Sequence, residues 1–228
     1  MHWKIGLLAW LLILAVPALG AVPQDRAEAA RIAREAADLC KGKGEDSPVR
    51  IGRAICLRGN IDIAKSDKFR ALKPSSKDVL VASGPGGDIA AAMDIGDALY
   101  KHDMLVVIDD LCGSSCAYFL ALGGRRLVIL DSGLLGFHGG PIPKKDIMKI
   151  PNISNRDREK ILSDNRRFAN FFSRRKIDIG ITNKVPESMN KKDANWKARM
   201  WVRWPDELGM FGFRGLVFCS GKYCEKPK

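Results

Sequence analysis

The sequence is poor in the residues and motifs on which several common functions depend. Its 228 residues include only three histidines, at positions 2, 102 and 138, and no Cys-x-x-Cys pair, which disfavours a zinc site. The glycine-rich segment around position 85 lacks the third glycine of a dinucleotide-binding fingerprint. Aromatic residues are not interleaved with the basic clusters, and no nucleic-acid-binding motif occurs. We therefore expect no metal, no other cofactor and no nucleic-acid partner.

Long hydrophobic runs are also scarce, and the one that occurs lies at the N-terminus. Lys4 precedes an apolar run over 5–16, and a proline and small residues follow it. This pattern is typical of a secretory signal peptide, here residues 1–20, with cleavage near Gly20–Ala21. The run is shorter than the ~20 residues of a spanning helix, which disfavours an uncleaved anchor. We expect a periplasmic or secreted protein with a single domain over 21–228.

Cysteine usage agrees with export. All six cysteines follow the predicted cleavage point, and their even number allows complete pairing. Pairing between neighbours in the sequence is the simplest arrangement. It predicts the disulfides Cys40–Cys56, Cys112–Cys116 and Cys219–Cys224. Closing the first of these loops would stabilise the fold by roughly 3 kcal/mol.

The charge balance is strongly basic. The chain has 38 Lys and Arg residues against 26 Asp and Glu residues, a formal net charge of +12. A basic exported protein is attracted to anionic surfaces such as lipid headgroups, so peripheral contact with the cell envelope is one expectation. A solvated basic surface with no partner is the other. The hydrophobic fraction of 46% excludes wholesale disorder.

Strand and helix patterns alternate through the middle of the chain. The predicted elements are buried strands over 78–82, 104–108, 126–130 and 134–137, and helices over 87–100 and 114–122. Short connections between alternating strands and helices imply right-handed crossovers and a largely parallel sheet. The predicted fold class is therefore α/β.

The flanking regions predict further helices and short strands. A helix over 23–40 either packs on the core or serves self-association into a homo-oligomer. Residues 50–59 predict a strand pair, or a strand with a turn at Gly59–Asn60. The predicted C-terminal elements are a long charged helix over 155–177, a helix over 183–196, a helix that starts at 204–208, and a small hairpin over 215–224.

Three short motifs are of the types that acyl transfer requires. The run Ser83-Gly-Pro-Gly-Gly-Asp88 lies between a predicted strand and a helix, so its backbone N–H groups are candidates for an oxyanion hole. Ser114 at the start of an apolar helix is the candidate nucleophile, although a helix cap is the commoner role of such a serine. His138 near the end of a strand is the candidate base. Ser115 is a competing nucleophile, and His102 is a weaker base candidate in an exposed Lys-His-Asp context.

Between residues 78 and 143 the sequence resembles the proteolytic subunit of the Clp protease. The resemblance is closest to exported relatives in the Clp protease/crotonase superfamily that carry a Cys-x-Ser-x-Cys motif. Gly84-Pro-Gly-Gly87 is similar to the oxyanion turn of the family. Ser114, nine residues before Gly123, is similar to its nucleophile, and His138 is similar to its base.

This resemblance implies a Clp/crotonase-like fold and a serine peptidase. Ser114 would attack a peptide carbonyl and His138 would take its proton. The N–H groups of Gly86 and Ser115 would hold the oxyanion. Because no ATP is available outside the cytoplasm to drive an unfoldase, the substrates would be peptides or unfolded protein.

The third member of a triad does not follow from the resemblance. Alignment through Pro205 places Arg199 where the family has an aspartate, and a guanidinium cannot accept a proton. Asp193 is the preferred substitute, because a carboxylate stabilises the imidazolium, and Asn195 is the alternative. A Ser–Lys dyad of the signal peptide peptidase type, with Lys197 as base, is a further interpretation.

Two other functions fit parts of the pattern. A non-catalytic member of the fold, acting as a binding or assembly protein of the cell envelope, would use these motifs only structurally, and the missing aspartate favours it. A crotonase-like acyl-CoA enzyme is disfavoured, because coenzyme A thioesters are not expected outside the cytoplasm. An exported serine hydrolase is the leading hypothesis.

Overall fold

The computed structural model of the chain describes residues 26–185 and 200–225. Its helices are Arg26–Leu39 (α1), Ile63–Ala71 (α2), Ile89–Lys101 (α3), Lys144–Ile147 (α4), Asn155–Arg174 (α5) and Pro205–Met210 (α6). Its strands are Val49–Ile51 (β1), Ala54–Ile61 (β2), Val79–Gly87 (β3), Leu105–Gly113 (β4), Arg126–Ile129 (β5), Leu134–Phe137 (β6), Trp201–Val202 (β7) and Leu216–Cys219 (β8). A π-helix spans Cys116–Ala121, and single 3₁₀ turns span Ile179–Thr182 and Lys222–Cys224.

The eight strands of the described residues form one mixed, mostly parallel sheet. Six of them lie in the order β1-β2-β3-β4-β5-β8, while β6 pairs with β4 and β7 pairs with β6. The antiparallel pairs are β1–β2 and β6–β7, and all the others are parallel. Strand β4 pairs with β5 over 105–108 and with β6 over 111–113, so it changes neighbour along its length. The predicted α/β class is confirmed.

The two faces of the sheet bury different layers, because successive strand residues point to opposite sides. Leu80, Val106 and Leu127 belong to a core that also contains buried side chains of α2, α3, the π-helix and α5. Val81 and Val107, one residue away from two of these, belong to a second core beneath α1. The sheet is thus the middle layer of three.

The structure settles the role of the first helix. Ala29, Ile32 and Ala36 are buried against the sheet, so α1 packs on the core, the first of the two alternatives. Leu39, the last residue of α1, lies off this face and is 45% exposed. Because the apolar face of α1 is already covered, self-association would need another surface.

The strand pair expected over 50–59 is confirmed as β1 and β2, but two expected turns are wrong. The chain does not turn at Gly59–Asn60: β2 continues through both residues to Ile61. The β1–β2 turn comes earlier, where Gly52 has a φ of +58°. The C-terminal hairpin is also absent from the described residues, because β8 pairs in parallel with the free edge of β5 and a 3₁₀ turn follows it.

All three predicted disulfide pairs are confirmed. The Cα–Cα distances are 5.4 Å for Cys40–Cys56, 5.2 Å for Cys112–Cys116 and 5.7 Å for Cys219–Cys224, each within the ordinary range for a disulfide. No helix in the described part of the chain is both long and apolar enough to cross a bilayer. The predicted signal peptide and most of the predicted helix over 183–196 lie outside the described residues.

Candidate active site

Ser114 occupies a strained turn between β4 and the π-helix. Its φ is +53°, a left-handed conformation that is uncommon for a residue with a side chain and that concentrates at functional sites. The Ser114 N–H donates to the Gly136 carbonyl over 2.9 Å, and the Ser114 carbonyl accepts from the Tyr118 N–H over 2.9 Å. The neighbouring strand β6 therefore holds the turn on one side, and the π-helix that follows holds it on the other.

The structure brings the candidate base to the candidate nucleophile. His138 follows β6, which pairs with β4 so that Gly113 lies opposite Gly136. Ser114 lies one residue beyond this pair and His138 lies two residues beyond it. Ser114 Oγ and His138 Nε2 are 2.7 Å apart. In the tautomer with its proton on Nδ1, the imidazole accepts a hydrogen bond from the hydroxyl. The Ser114 side chain makes this contact, and no side chain caps the π-helix. In this geometry the hydroxyl can lose its proton to the ring.

Gly86 lies against the turn that carries Ser114. A Cβ atom at Gly86 would lie 2.8 Å from the Gly113 carbonyl oxygen and 2.9 Å from both Ser114 Cβ and the Ser115 nitrogen, so only glycine fits. Its φ of +103° also favours glycine. The predicted oxyanion donors, Gly86 and Ser115, are therefore adjacent. The Ser115 N–H lies in the first turn of a helix, where amide groups have no carbonyl one turn earlier.

The glycine-rich run is extended rather than a strand-to-helix turn, which corrects the expectation. β3 continues to Gly87, with Gly86 opposite Asn60 and Gly87 opposite Ile61. A Cβ at Gly87 would lie 2.1 Å from the Ile61 carbonyl oxygen, so this close strand pairing requires glycine. α3 begins only after Asp88, whose side chain accepts from the Ala91 N–H.

Ser115 is fixed in the core and is not available as a nucleophile. It is 1% exposed, and its hydroxyl donates to the Gly87 carbonyl over 3.2 Å. The disulfide between Cys112 and Cys116 brackets Ser114 and Ser115, and both of its cysteines are buried. His102, which follows α3 and precedes β4, lies at the opposite end of β4 from Ser114.

No third member of the predicted triad is found among the described residues. Within residues 26–185 and 200–225, the His138 side chain makes a hydrogen bond only to Ser114. The sequence candidates Asp193, Asn195, Lys197 and Arg199 all lie outside the described residues.

Tyr118 is a site residue that the sequence analysis missed. Its hydroxyl accepts from the His138 N–H over 2.8 Å and lies 2.8 Å from the carbonyl oxygens of both His138 and Gly139. Burial raises the pKa of Tyr118 to about 12. The signal was present in the sequence: a tyrosine in an otherwise apolar helix must find a partner for its hydroxyl when it is buried.

A polar network braces the strands beside the glycine-rich run. The Arg58 guanidinium donates to Ser83 Oγ over 2.9 Å and forms an ion pair with Asp109. The Lys65 ammonium donates to the Arg58 carbonyl over 2.6 Å, and burial lowers the pKa of Lys65 below its ordinary value. These contacts join β2, β3, β4 and α2 beside Ser83, the first residue of the glycine-rich run.

Neither a cluster of metal ligands in the described residues nor a match to a known protein assigns a function to this site. No group of three or more His, Cys, Asp and Glu residues in the described part of the chain is arranged to hold a metal ion. No protein-family model matches the chain, and no curated protein matches it either.

Proposed function

We propose that the chain is an exported serine hydrolase, and more narrowly a peptidase, with Ser114 as nucleophile and His138 as general base. The observation that carries the proposal is the 2.7 Å contact between Ser114 Oγ and His138 Nε2, made from a strained strand-to-helix turn. A hydroxyl paired with an imidazole in this way is the activated nucleophile of acyl transfer. Such strain is retained where function requires it.

The reaction follows from the groups at the site. Ser114 Oγ attacks the substrate carbonyl carbon while its proton passes to His138 Nε2. The N–H groups of Gly86 and Ser115 hold the negative oxygen, and loss of one such donor typically costs ~10²–10³ in turnover. His138 then gives its proton to the leaving amine. Water, deprotonated by the same imidazole, hydrolyses the acyl-enzyme.

The fold and the compartment together limit the class of substrate. A parallel sheet with an extended glycine-rich strand beside the serine turn, and a histidine after the next strand, resembles the Clp protease/crotonase plan. The N-terminal apolar run and three disulfides support export to an oxidising compartment. The substrates are therefore peptides or already unfolded protein chains, cleaved without ATP.

A fluorophosphonate labelling experiment on the purified, disulfide-bonded protein tests the proposal. Wild type is expected to be labelled and to cleave unfolded casein. Ser114→Ala should lose labelling by on the order of 10³-fold or more while its circular dichroism stays unchanged. Ser173→Ala, an exposed serine on α5, is the matched control and should behave as wild type. Labelling that survives Ser114→Ala would remove Ser114 as the nucleophile.

A non-catalytic binding protein of the cell envelope is the second candidate. It is favoured by one observation: no carboxylate among the described residues contacts His138. Loss of the triad aspartate alone reduces turnover by roughly 10⁴-fold in a serine protease. A folded wild type that retains unfolded casein on a column, but is neither labelled nor cleaves the casein, would favour this function over the hydrolase.

A further inference from the structure

Tyr118 contacts both halves of the proposed catalytic pair. It lies one helical turn after Ser114, and its backbone N–H donates to the Ser114 carbonyl over 2.9 Å. Its hydroxyl accepts from the His138 N–H over 2.8 Å and is equally close to the carbonyl oxygens of His138 and Gly139, to one of which it donates. One residue therefore joins the turn of the nucleophile to the backbone that carries the base.

The ring of Tyr118 has little freedom to move. The residue is 4% exposed, and its ring centroid lies 5.6 Å from that of Phe137 and 6.0 Å from that of Phe168. These close aromatic neighbours limit the movement of the ring and so fix the position of the hydroxyl. Because a buried hydroxyl is costly to leave unpaired, the backbone after β6 is held to it in turn.

The backbone of His138 needs such support. Its side chain is exposed and, among the described residues, makes its hydrogen bond to Ser114 alone. Two glycines follow it, and Gly139 has a φ of +54°. A glycine-rich connection offers many alternative backbone conformations, each of which would move the imidazole away from Ser114.

We propose that Tyr118 positions His138 against Ser114, through its paired hydrogen bonds to the backbone of the base. The proposal rests on the hydrolase function as regards catalysis, but the positioning itself is independent of that function. In a serine protease triad a carboxylate orients the imidazole ring. Here a phenolic hydroxyl orients the backbone from which the ring extends. Tyr118 touches neither the substrate nor the reacting atoms and is a positioning residue.

Tyr118→Phe tests this role because it removes one oxygen and keeps the ring. The expected result is a roughly 10- to 100-fold fall in the labelling rate and in kcat, with KM little changed, since a small displacement of a catalytic group costs about this much. A purely structural role would lower stability without this split between kcat and KM. The matched control is Tyr100→Phe, whose ring stacks on Arg125 away from the site and which should keep the wild-type rate.

A second readout does not depend on activity. The ¹⁵N resonances of the His138 ring report its hydrogen bond to Ser114, which Ser114→Ala removes by design. In Tyr118→Phe these resonances should move toward those of Ser114→Ala, and in Tyr100→Phe they should not. If wild type proves inactive but Tyr118→Phe shifts the resonances, the hydrolase function fails and the positioning role stands. Wild-type resonances, or a wild-type kcat, in a folded Tyr118→Phe would overturn the positioning role.

Discussion

The two faces of the sheet are built differently, although the same strands supply both. Beneath α1 the buried residues are small or aliphatic, with alanines along the helix and no aromatic side chain among the buried, described members. The opposite face contains Phe119 and the three phenylalanines of α5, with centroid distances from Phe119 of 4.9 to 6.3 Å. The π-helix that carries Phe119 begins at Cys116, two residues after Ser114. We infer that the α1 face holds the sheet together, whereas the aromatic face also positions the site.

The sharpest test of this difference is a pair of cavity-forming variants, which should have the largest effects. Phe119→Ala should lose about 3–5 kcal/mol of unfolding free energy, and its labelling rate per folded molecule should fall as well. Ile32→Ala on the α1 face should lose about 2 kcal/mol and keep its labelling rate. Urea unfolding followed by labelling well below the midpoint measures both quantities.

Phe119→Leu repeats the first measurement with a smaller loss, should Phe119→Ala fail to fold. Equal retention of the labelling rate by the Phe119 and Ile32 variants would show that the two faces do not differ in their effect on the site.

Two of the three disulfides make a second comparison, because Cys40–Cys56 lies on the α1 face of the sheet and Cys112–Cys116 on the aromatic face. Replacing Cys40 and Cys56 by alanine opens a bridge with a sequence separation of 16, which should cost about 3 kcal/mol without affecting labelling. Replacing Cys112 and Cys116 by alanine opens a bridge with a separation of only 4, which should cost about 2 kcal/mol. This second bridge brackets Ser114, so its loss should also slow labelling by roughly 10²-fold.

Thermal unfolding and labelling of the two double variants, with their free thiols counted, provide the measurement. The same labelling rate in both would mean that the bridge around Ser114 contributes to stability only.

The smallest expected effect is on the pH dependence of stability above pH 10, and it concerns Tyr118. Its pKa rises from an ordinary 10.0 to about 12 in the folded protein, so the fold favours the protonated phenol. That contribution to stability is fully present below pH 10 and is lost as the pH rises from 10 towards 12. Unfolding free energy should therefore fall less steeply above pH 10 in Tyr118→Phe than in wild type.

Urea unfolding at pH 9, 10 and 11 checks this slope, with Tyr100→Phe measured in parallel to account for the other alkaline groups. Identical slopes in Tyr118→Phe and wild type would mean that the Tyr118 hydroxyl is not buried in the folded protein.

Much of the fold is visible in the sequence, because its central elements follow simple periodicity. The buried strands β3 to β6, the helices α3 and α5, and the cysteine pairs were all predicted. α2 was missed because its buried residues Lys65, Ser66 and Phe69 form no apolar stripe. The C-terminal hairpin was wrong because the partner of β8 is β5, far away in the sequence, and local turn signals cannot reveal such pairing.

The sequence singled out the two side chains that meet at the candidate site, but not the contacts that hold them in place. Motif spacing selected Ser114 and His138, whose side chains meet in the structure. The left-handed conformation of Ser114 could not be predicted, because it is imposed by the surrounding strand and helix against the preference of the residue itself. In the sequence Tyr118 is one residue of an otherwise apolar helix, with no sign of a partner for its hydroxyl. The partner of this hydroxyl, the His138 backbone, is brought to it only by the folding of β6 against β4.

The pairing of Gly113 with Gly136 has a consequence for how related proteins can be recognised. Ser114 and His138 are 24 residues apart in sequence, yet they meet because each closely follows a member of the same residue pair between parallel strands. Insertions or deletions in the intervening helix and strand would change this interval without changing the pairing of β4 with β6. A search for distant homologues should therefore keep the two glycine-flanked strand ends and let the number of residues between them vary freely.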